Sequence, residues 1–151
     1  MSPNLKAFLD MIAVSEIGKK LLRESDNGYN VKVGGTLFHG YEDHPRTVVK
    51  IRPDLSSSAA GRYQILMRYF DVYKAQLGLP DFSPASQDKI AVQLIRECKA
   101  LDDIEAGRFD EAVFKCRSRW ASLPGAKYGQ HENDINDLRL AYVQAGGVMA
   151  A

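Results

Sequence analysis

Apolar side chains recur every three or four residues along most of the chain, and this spacing is typical of helices that bury one face. The pattern is interrupted between residues 28 and 58. The first helix is predicted to begin at the capping residue Ser2, with Pro3 in the first turn, where the missing N–H group of proline costs nothing. It is predicted to end before Gly18. A chain of 151 residues is long enough to form one domain with its own core.

The interruption begins with an alternating segment. Tyr29, Val31 and Val33 alternate with polar residues, and Gly34-Gly35 can form a tight turn into the next apolar residues. This pattern predicts a short β-hairpin within residues 28–41. Residues 42–58 contain two prolines, three serines and many charges, and they are predicted to form a long loop.

Helical periodicity then returns and continues to the end of the chain. We predict helices over residues 59–77, 83–99, 102–106, 110–120 and about 132–145. The predicted fold class is α+β, mainly helical with a small β-hairpin lobe. No internal repeat or linker divides the sequence, so a single domain over residues 1–151 is expected.

Composition and charge exclude several classes of protein. The sequence is 45% hydrophobic and 26% charged, which is ordinary for a globular protein, and its formal net charge of +1 gives no reason to expect a nucleic-acid partner. No apolar run approaches the roughly 20 residues that a membrane helix needs. The first ten residues also lack the charged lead-in and long apolar core of a signal peptide. We therefore expect synthesis into the cytoplasm and no membrane insertion.

The residues that commonly bind metals are scattered. Cys98 and Cys116 have no second cysteine or histidine at ligand spacing and are interpreted as packed thiols. His39, His44 and His131 show no paired spacing either, and His44 is interpreted as a turn residue between Asp43 and Pro45. No metal or other cofactor is predicted.

Glu16 is the most informative single residue. It falls on the same helical face as Leu9, Ile12 and Ala13, although a glutamate is rarely buried without a partner. Desolvation there would raise its pKa and keep the proton that a general acid needs near neutral pH. The alternative is a structural carboxylate at the helix end, bonded to backbone amides or paired with nearby basic residues at positions 19, 20 and 23.

Two further segments have the composition of ligand-binding loops. Residues 56–64 read SSSAAGRYQ, where small residues allow close approach of the backbone and Tyr63 and Gln64 open the predicted helix. An N-cap with a packed aromatic ring is the alternative interpretation. Residues 121–130 read ASLPGAKYGQ, in which Tyr128 lies in a glycine-flanked loop that ends at Gln130. An exposed tyrosine in such a loop suits stacking on a sugar or a base.

The order of these and other blocks resembles the endolysin family of bacteriophage lambda and its relatives, over nearly the whole chain. The matching blocks are KAFLDM at 6–11, SE at 15–16, VGG at 33–35, DHPR at 43–46, AGRYQ at 60–64, QLGL at 76–79, DFSP at 81–84 and WASLPGA at 120–126. The resemblance implies a lysozyme-like fold with a glycan-binding cleft between a hairpin lobe and a helical lobe. It also implies that Glu16 is catalytic. We expect the substrate to contact Asn30, Tyr63, Gln64, Tyr128 and Gln130.

Two positions depart from the family pattern. Val14 stands where a tryptophan is expected, and Asn30 stands where an aspartate is expected, which weakens the case for a second catalytic carboxylate. The Glu-x8-Asp-x5-Thr pattern of other phage lysozymes also fails, because the counted positions hold Ser25 and Val31.

The resemblance therefore implies a lytic transglycosylase that cleaves peptidoglycan between MurNAc and GlcNAc and leaves 1,6-anhydro-MurNAc ends. A hydrolytic muramidase is the first alternative, and it would need a carboxylate opposite Glu16 from Asp26, Glu42, Asp43 or Asp54. A non-catalytic glycan-binding module and a structural phage protein are the others. The expected enzyme is a monomer that waits in the host cytoplasm until a holin opens the membrane and then acts on the glycan strands of the wall.

Overall fold

The computed structural model describes residues 1–129 and 131–151. These residues form seven helices and one two-stranded antiparallel sheet. In chain order the elements are α1 Pro3–Ile17, α2 Lys19–Glu24, β1 Val49–Arg52, β2 Leu55–Ser57, α3 Met67–Leu77, α4 Pro84–Glu97, α5 Leu101–Glu105, α6 Phe109–Cys116 and α7 Ile135–Gln144. Within the described ranges, no helix is both long enough and apolar enough to cross a bilayer.

Helix α1 begins as its sequence predicts. The Ser2 hydroxyl oxygen accepts a hydrogen bond from the Leu5 backbone N–H at 3.1 Å, so Ser2 caps the helix. Burial is broader than the single stripe that the periodicity predicts, because Ala7, Phe8 and Met11 are also fully buried. The helix is therefore covered around most of its circumference.

The hairpin predicted within residues 28–41 is confirmed only as one antiparallel bridge around the Gly34-Gly35 turn. The prediction of a loop over residues 42–58 is wrong, because that segment contains two paired strands. The paired strands are β1 and β2, whose register aligns Val49 with Ser57. Residues 28–41 form only isolated bridges, because their backbone pairs with two different segments. Val31 bridges Leu37, whereas Lys32 bridges Ala60. Pairing with the distant segment around Ala60 replaces the regular two-stranded ladder that alternation predicts.

The start of the predicted helix at residue 59 is also wrong. Helix α3 begins at Met67, because Ala60 pairs with Ile65 and the chain between them turns. Gly61 and Gln64 have φ angles of 84° and 53°, which lie in the left-handed region and cannot continue a right-handed helix. Tyr63 and Gln64 therefore lie in a turn.

The chain divides into two compact units. Unit 1 comprises Met1–Glu16 and Ala91–Ala151, and unit 2 comprises Ile17–Ile90. In unit 1 the ring of Phe109 packs against Phe8 and Tyr142, with ring centroids 5.9 and 4.8 Å away. A single domain over the whole chain stays a prediction.

Unit 2 has an aromatic core that includes His44. Its ring centroid lies 4.9 Å from that of Phe82 and 5.9 Å from that of Phe70. The Nδ1 atom accepts the backbone N–H of Arg46 at 3.0 Å, so Nε2 carries the proton and donates it to the Ile65 carbonyl at 2.8 Å. Burial lowers the pKa of His44. The prediction of a simple turn residue is wrong, since His44 is part of the core.

Candidate active site

Glu16 lies in unit 1, one residue before the end of α1, and its side chain is half-buried. Desolvation by the surrounding protein raises its pKa to about 7, and hydrogen bonding with the Ser122 side chain acts in the opposite direction. A cation paired with the carboxylate would have lowered the pKa instead. The direction of this shift therefore favours the general-acid interpretation of Glu16 over the structural one.

A hydrogen-bonded cluster joins Ser15, the residue before Glu16, to Ser122 and Asn133. The hydroxyl oxygens of Ser15 and Ser122 lie 2.7 Å apart. The Asn133 side-chain amide donates to the Ser15 hydroxyl at 2.9 Å and to the Ser15 carbonyl at 3.0 Å, and its backbone N–H donates to the Ser122 carbonyl at 2.8 Å. Sequence reasoning did not identify Ser122 or Asn133, because no spacing relates them to Glu16.

The loop that carries Tyr128 is anchored at two points. The Glu132 carboxylate accepts the backbone N–H groups of Gly125 at 2.9 Å and Lys127 at 2.8 Å, and these bonds lower the pKa of Glu132. The Tyr128 hydroxyl donates to the Ser118 carbonyl at 3.0 Å. The side chain is still 54% exposed, so the ring is held in place with surface available for stacking. Gln130 lies outside the described residues.

In unit 2, Gln64 has its amide nitrogen committed to the local turn. It donates to the carbonyls of Gly61 at 2.9 Å and Val31 at 3.3 Å. The nitrogen of a glutamine side chain has two protons, so both are used here and the carbonyl oxygen is the atom that can accept from a ligand. Gln64 is half-buried, which is consistent with a contact at the surface of the unit.

Tyr63 offers no exposed ring for the substrate contact that the sequence predicts. It is only 1% exposed, and its hydroxyl donates to the Asp88 carboxylate at 2.6 Å. The Tyr29 hydroxyl donates to the same carboxylate oxygen at 2.9 Å. The buried Tyr63 therefore stabilises the turn, and its neighbour Gln64 is the residue of the AGRYQ block that remains accessible.

Gln87 connects the segments that carry Asn30 and Gln64. It is fully buried, and its side-chain oxygen accepts the Arg62 backbone N–H at 3.0 Å. Its amide nitrogen donates to the Tyr29 carbonyl at 3.1 Å. A Cβ atom on Gly61 would collide with the Gln87 amide, so the turn requires glycine at that position. The sequence did not single out Gln87.

Asn30 is held by the loop that contains it. Its side-chain oxygen accepts the Asp26 backbone N–H at 2.8 Å, and its carbonyl accepts the Phe38 backbone N–H at 2.9 Å. The Asp26 carboxylate in turn accepts the hydroxyl of Tyr41. Asn30 thus stabilises the turn through its side-chain oxygen, and the residue is half-buried.

Two of the carboxylates considered for a hydrolytic mechanism form ion pairs. Asp43 pairs with Arg46 at 2.7 Å, and Asp54 pairs with Arg52 at 2.9 Å. Hydrogen bonds from Arg46 hold the pKa of Asp43 below its usual range. Among the described residues, no group of three or more histidine, cysteine, aspartate or glutamate side chains could hold a metal ion.

Comparison with known proteins decides the family. The family model described as Endolysin matches residues 6–149. The chain is also 50% identical, over 147 residues, to the endolysin of Escherichia phage lambda, an alignment that covers 95% of this chain and 92% of that protein. The chain belongs to the endolysin family. The endolysin of Escherichia phage P2 is 48% identical over 157 residues, covering 97% of this chain and 95% of that one.

Solved structures confirm the fold of this endolysin. The lysozyme of bacteriophage lambda in complex with a chitohexasaccharide superposes with a TM-score of 0.96 at 47% identity, covering 99% of this chain and 97% of that one. A second structure of lambda lysozyme gives a TM-score of 0.90 at 48% identity and the same coverage. The α+β, lysozyme-like prediction is confirmed, and this endolysin is a phage enzyme that degrades the bacterial cell wall.

Proposed function

We propose that this endolysin is a lytic transglycosylase with Glu16 as its single acid and base. The observation that carries the proposal is a half-buried carboxyl group whose pKa is raised to about 7. Such a group is protonated often enough to act as an acid and ionised often enough to act as a base near neutral pH.

The reaction can proceed through this one group. Glu16 donates its proton to the glycosidic oxygen between MurNAc and GlcNAc as the bond from that oxygen to C1 of MurNAc breaks. The C6 hydroxyl of the same MurNAc attacks C1, and the Glu16 carboxylate takes the proton that this hydroxyl releases. A 1,6-anhydro-MurNAc end forms, the proton count on Glu16 is restored, and no water is consumed.

Binding of the glycan is assigned to aromatic and amide side chains. The exposed ring of Tyr128 suits stacking on the apolar face of a sugar, and the free carbonyl oxygen of Gln64 suits a sugar hydroxyl or amide donor. Asn30 and Gln130 are proposed as further polar contacts. The related lambda lysozyme was solved with a chitohexasaccharide, a glycan of amino sugars, which supports this substrate class.

A hydrolytic muramidase is the second candidate, and the name lysozyme borne by the related structures favours it. A hydrolase of this kind uses a second carboxylate as nucleophile or as base for water. Asp43 and Asp54 are engaged by arginines, and Asp26 accepts the Tyr41 hydroxyl. These three engagements favour the mechanism that needs only Glu16, and they leave Glu42 as the remaining carboxylate for a hydrolytic mechanism.

The new chain ends separate the two candidates. Purified peptidoglycan is digested to completion, and the fragments are analysed by mass spectrometry. A transglycosylase yields anhydro ends, which are lighter by one water than reducing MurNAc ends and resist borohydride reduction. Reducing ends as the main product would overturn the proposal in favour of hydrolysis.

The cellular setting is also part of the proposal. The enzyme acts as a monomer, with the peptidoglycan glycan strand as its partner and without a cofactor. It stays in the host cytoplasm until a holin permeabilises the membrane and then reaches the wall. Lysis that proceeds at the normal time in cells that produce this enzyme without the holin would contradict this dependence.

A further inference from the structure

The carboxylate of Glu132 accepts hydrogen bonds from the backbone of the Tyr128 loop, which we define as residues 125–128. We propose that Glu132 is a positioning residue for glycan binding, because its carboxylate fixes this loop, and with it the Tyr128 ring, relative to the end of α1 that carries Glu16. The inference rests on the proposed contact of Tyr128 with the glycan, and it deepens that proposal by naming the group that holds the ring in place.

Both oxygens of the Glu132 carboxylate are used. Oε1 accepts the backbone N–H of Gly125 at 2.9 Å, and Oε2 accepts the backbone N–H of Lys127 at 2.8 Å. These bonds lower the pKa of Glu132, so the group is ionised at neutral pH, and hydrogen bonds to an ionised acceptor are stronger than those to a neutral one. A glutamine has only one acceptor oxygen, and its NH₂ group would face one of the two N–H donors.

The backbone that Glu132 holds has an unfavourable conformation at Lys127. Its φ angle is 59°, in the left-handed region that a side chain with a Cβ atom adopts at a cost. The hydrogen bond from the Lys127 N–H to Glu132 opposes relaxation of this angle. Lys127 directly precedes Tyr128 in the chain, so a change in its backbone angles would move the Tyr128 ring.

The next residue connects Glu132 to the helix that carries the candidate acid. The side-chain amide of Asn133 donates to the Ser15 carbonyl at 3.0 Å and to the Ser15 hydroxyl at 2.9 Å. Ser15 directly precedes Glu16 at the end of α1. Residues 132 and 133 therefore link the Tyr128 loop to the segment with the Glu16 carboxyl group, one through its carboxylate and the other through its amide.

The consequence for binding is a ring that is held before the sugar arrives. The Tyr128 hydroxyl also donates to the Ser118 carbonyl, but a single neutral hydrogen bond at an exposed site contributes little on its own. A ring that is already fixed loses less conformational freedom when a sugar stacks on it. Removal of the Glu132 carboxylate should therefore weaken glycan binding, and this effect should require the Tyr128 ring.

A double-mutant cycle on glycan affinity tests this directly. The probe is a chitohexasaccharide, the glycan with which the related lambda lysozyme was solved, and its Kd is measured by isothermal titration calorimetry. Every protein carries Glu16→Gln, which prevents turnover under the proposed mechanism. We expect Glu132→Gln to weaken binding several-fold and Tyr128→Ala to weaken it at least as much. The double variant should match Tyr128→Ala alone.

The matched control is Glu111→Gln, which removes the same charge from an exposed glutamate in the first turn of α6 and should leave the Kd unchanged. Circular dichroism checks the fold of each variant. Unchanged affinity in folded Glu132→Gln, or additive losses in the double variant, would overturn the inference. If Glu132→Gln does not fold, Glu132→Asp replaces it in the cycle, because its shorter side chain cannot keep both bonds, and the same result is expected.

The binding measurement separates this inference from the proposed function. Weaker binding in Tyr128→Ala with unchanged binding in Glu132→Gln would reject only the positioning role. Unchanged binding in Tyr128→Ala, or no binding by the Glu16→Gln parent, would reject the assumed glycan contact and this inference with it. Reducing ends in the peptidoglycan digest would reject the transglycosylase mechanism and would leave the result of the binding cycle as it stands.

Discussion

The hydroxyl oxygens of Ser15 and Ser122 lie 2.7 Å apart, although 107 positions separate the two residues in the chain. The contact joins the end of α1, where Glu16 lies, to the loop that follows Trp120. Together with Asn133, it makes the environment of the candidate catalytic carboxyl depend on a part of the sequence remote from it. The acid and its surroundings are therefore best tested separately.

Replacing Glu16 by glutamine is expected to remove lytic activity. The amide is nearly isosteric with the carboxyl group but cannot donate an acidic proton or act as a base. We expect less than a tenth of wild-type activity, a loss that corresponds to at least about 1.4 kcal/mol of barrier. Clearing of a cell-wall suspension measures activity, and circular dichroism checks the fold. The exposed Glu111→Gln variant is the control and should lyse normally. Substantial activity in Glu16→Gln would remove Glu16 from the mechanism.

The same substitution is expected to change how stability depends on pH. The pKa of Glu16 is raised from 4.5 to about 7 in the folded protein, so the folded state holds this proton more tightly than the unfolded state. The contribution of Glu16 to the free energy of unfolding is largest below pH 4.5 and decreases as the pH rises through 7. The Glu16→Gln variant lacks this pH-dependent loss. Between pH 4 and pH 8, its free energy of unfolding should therefore increase by up to about 3 kcal/mol relative to that of the wild type.

Urea unfolding at the two pH values measures this difference, and Glu111→Gln again serves as the control. A wild type and a Glu16→Gln variant whose stabilities change in parallel with pH would show that the pKa of Glu16 is not raised.

Several features of the fold follow from local sequence, whereas others depend on remote contacts. The helix that carries Glu16 has a cap and a clear period, and its position is confirmed. In strand β1, Val49 is half-buried and the next three residues are exposed. The strand therefore lacks the alternation that identifies a strand with one buried face. The turn at Gly61 is set by pairing of Ala60 with Lys32, which no local pattern encodes.

The candidate site shows the same division. Glu16 stands out as a charged residue on an apolar helical face. Gln64 follows a run of small residues, and Tyr128 lies in a glycine-flanked loop. The supporting residues do not, because Gln87 and Asn133 look like ordinary polar residues until the fold brings them against backbone atoms of distant segments. The spacing of residues in the sequence does not indicate which polar side chains form hydrogen bonds inside the fold.

Tyr128 is expected to bind substrate through its ring, with its hydroxyl serving only as an anchor. Tyr128→Ala should raise KM several-fold, since an aromatic contact contributes about 1 kcal/mol. Tyr128→Phe keeps the ring and loses the bond to the Ser118 carbonyl, so its KM should stay closer to that of the wild type. Initial rates on a defined glycan oligomer provide both values. Equal KM values for Tyr128→Ala and wild type would show that the ring does not contact the substrate.

Gln64 is expected to contribute its side chain to turnover and little to stability. Gln64→Gly removes the amide and also relieves the left-handed backbone, whose φ angle is 53°. We therefore expect a melting temperature close to that of the wild type and a severalfold lower kcat/KM. Asn27→Gly is the matched control, because Asn27 also has a positive φ angle of 51°. A Gln64→Gly variant with unchanged kcat/KM would show that Gln64 only shapes the turn.

The central claim is that the nucleophile is the MurNAc C6 hydroxyl and that water takes no part. Digestion of peptidoglycan in water enriched in heavy oxygen tests it most directly, with mass spectrometry of the new MurNAc ends and hen egg-white lysozyme as the hydrolytic control. The account predicts unlabelled 1,6-anhydro ends from this enzyme and labelled reducing ends from the control. Heavy oxygen in the new ends at a yield of one atom per cleavage would contradict it.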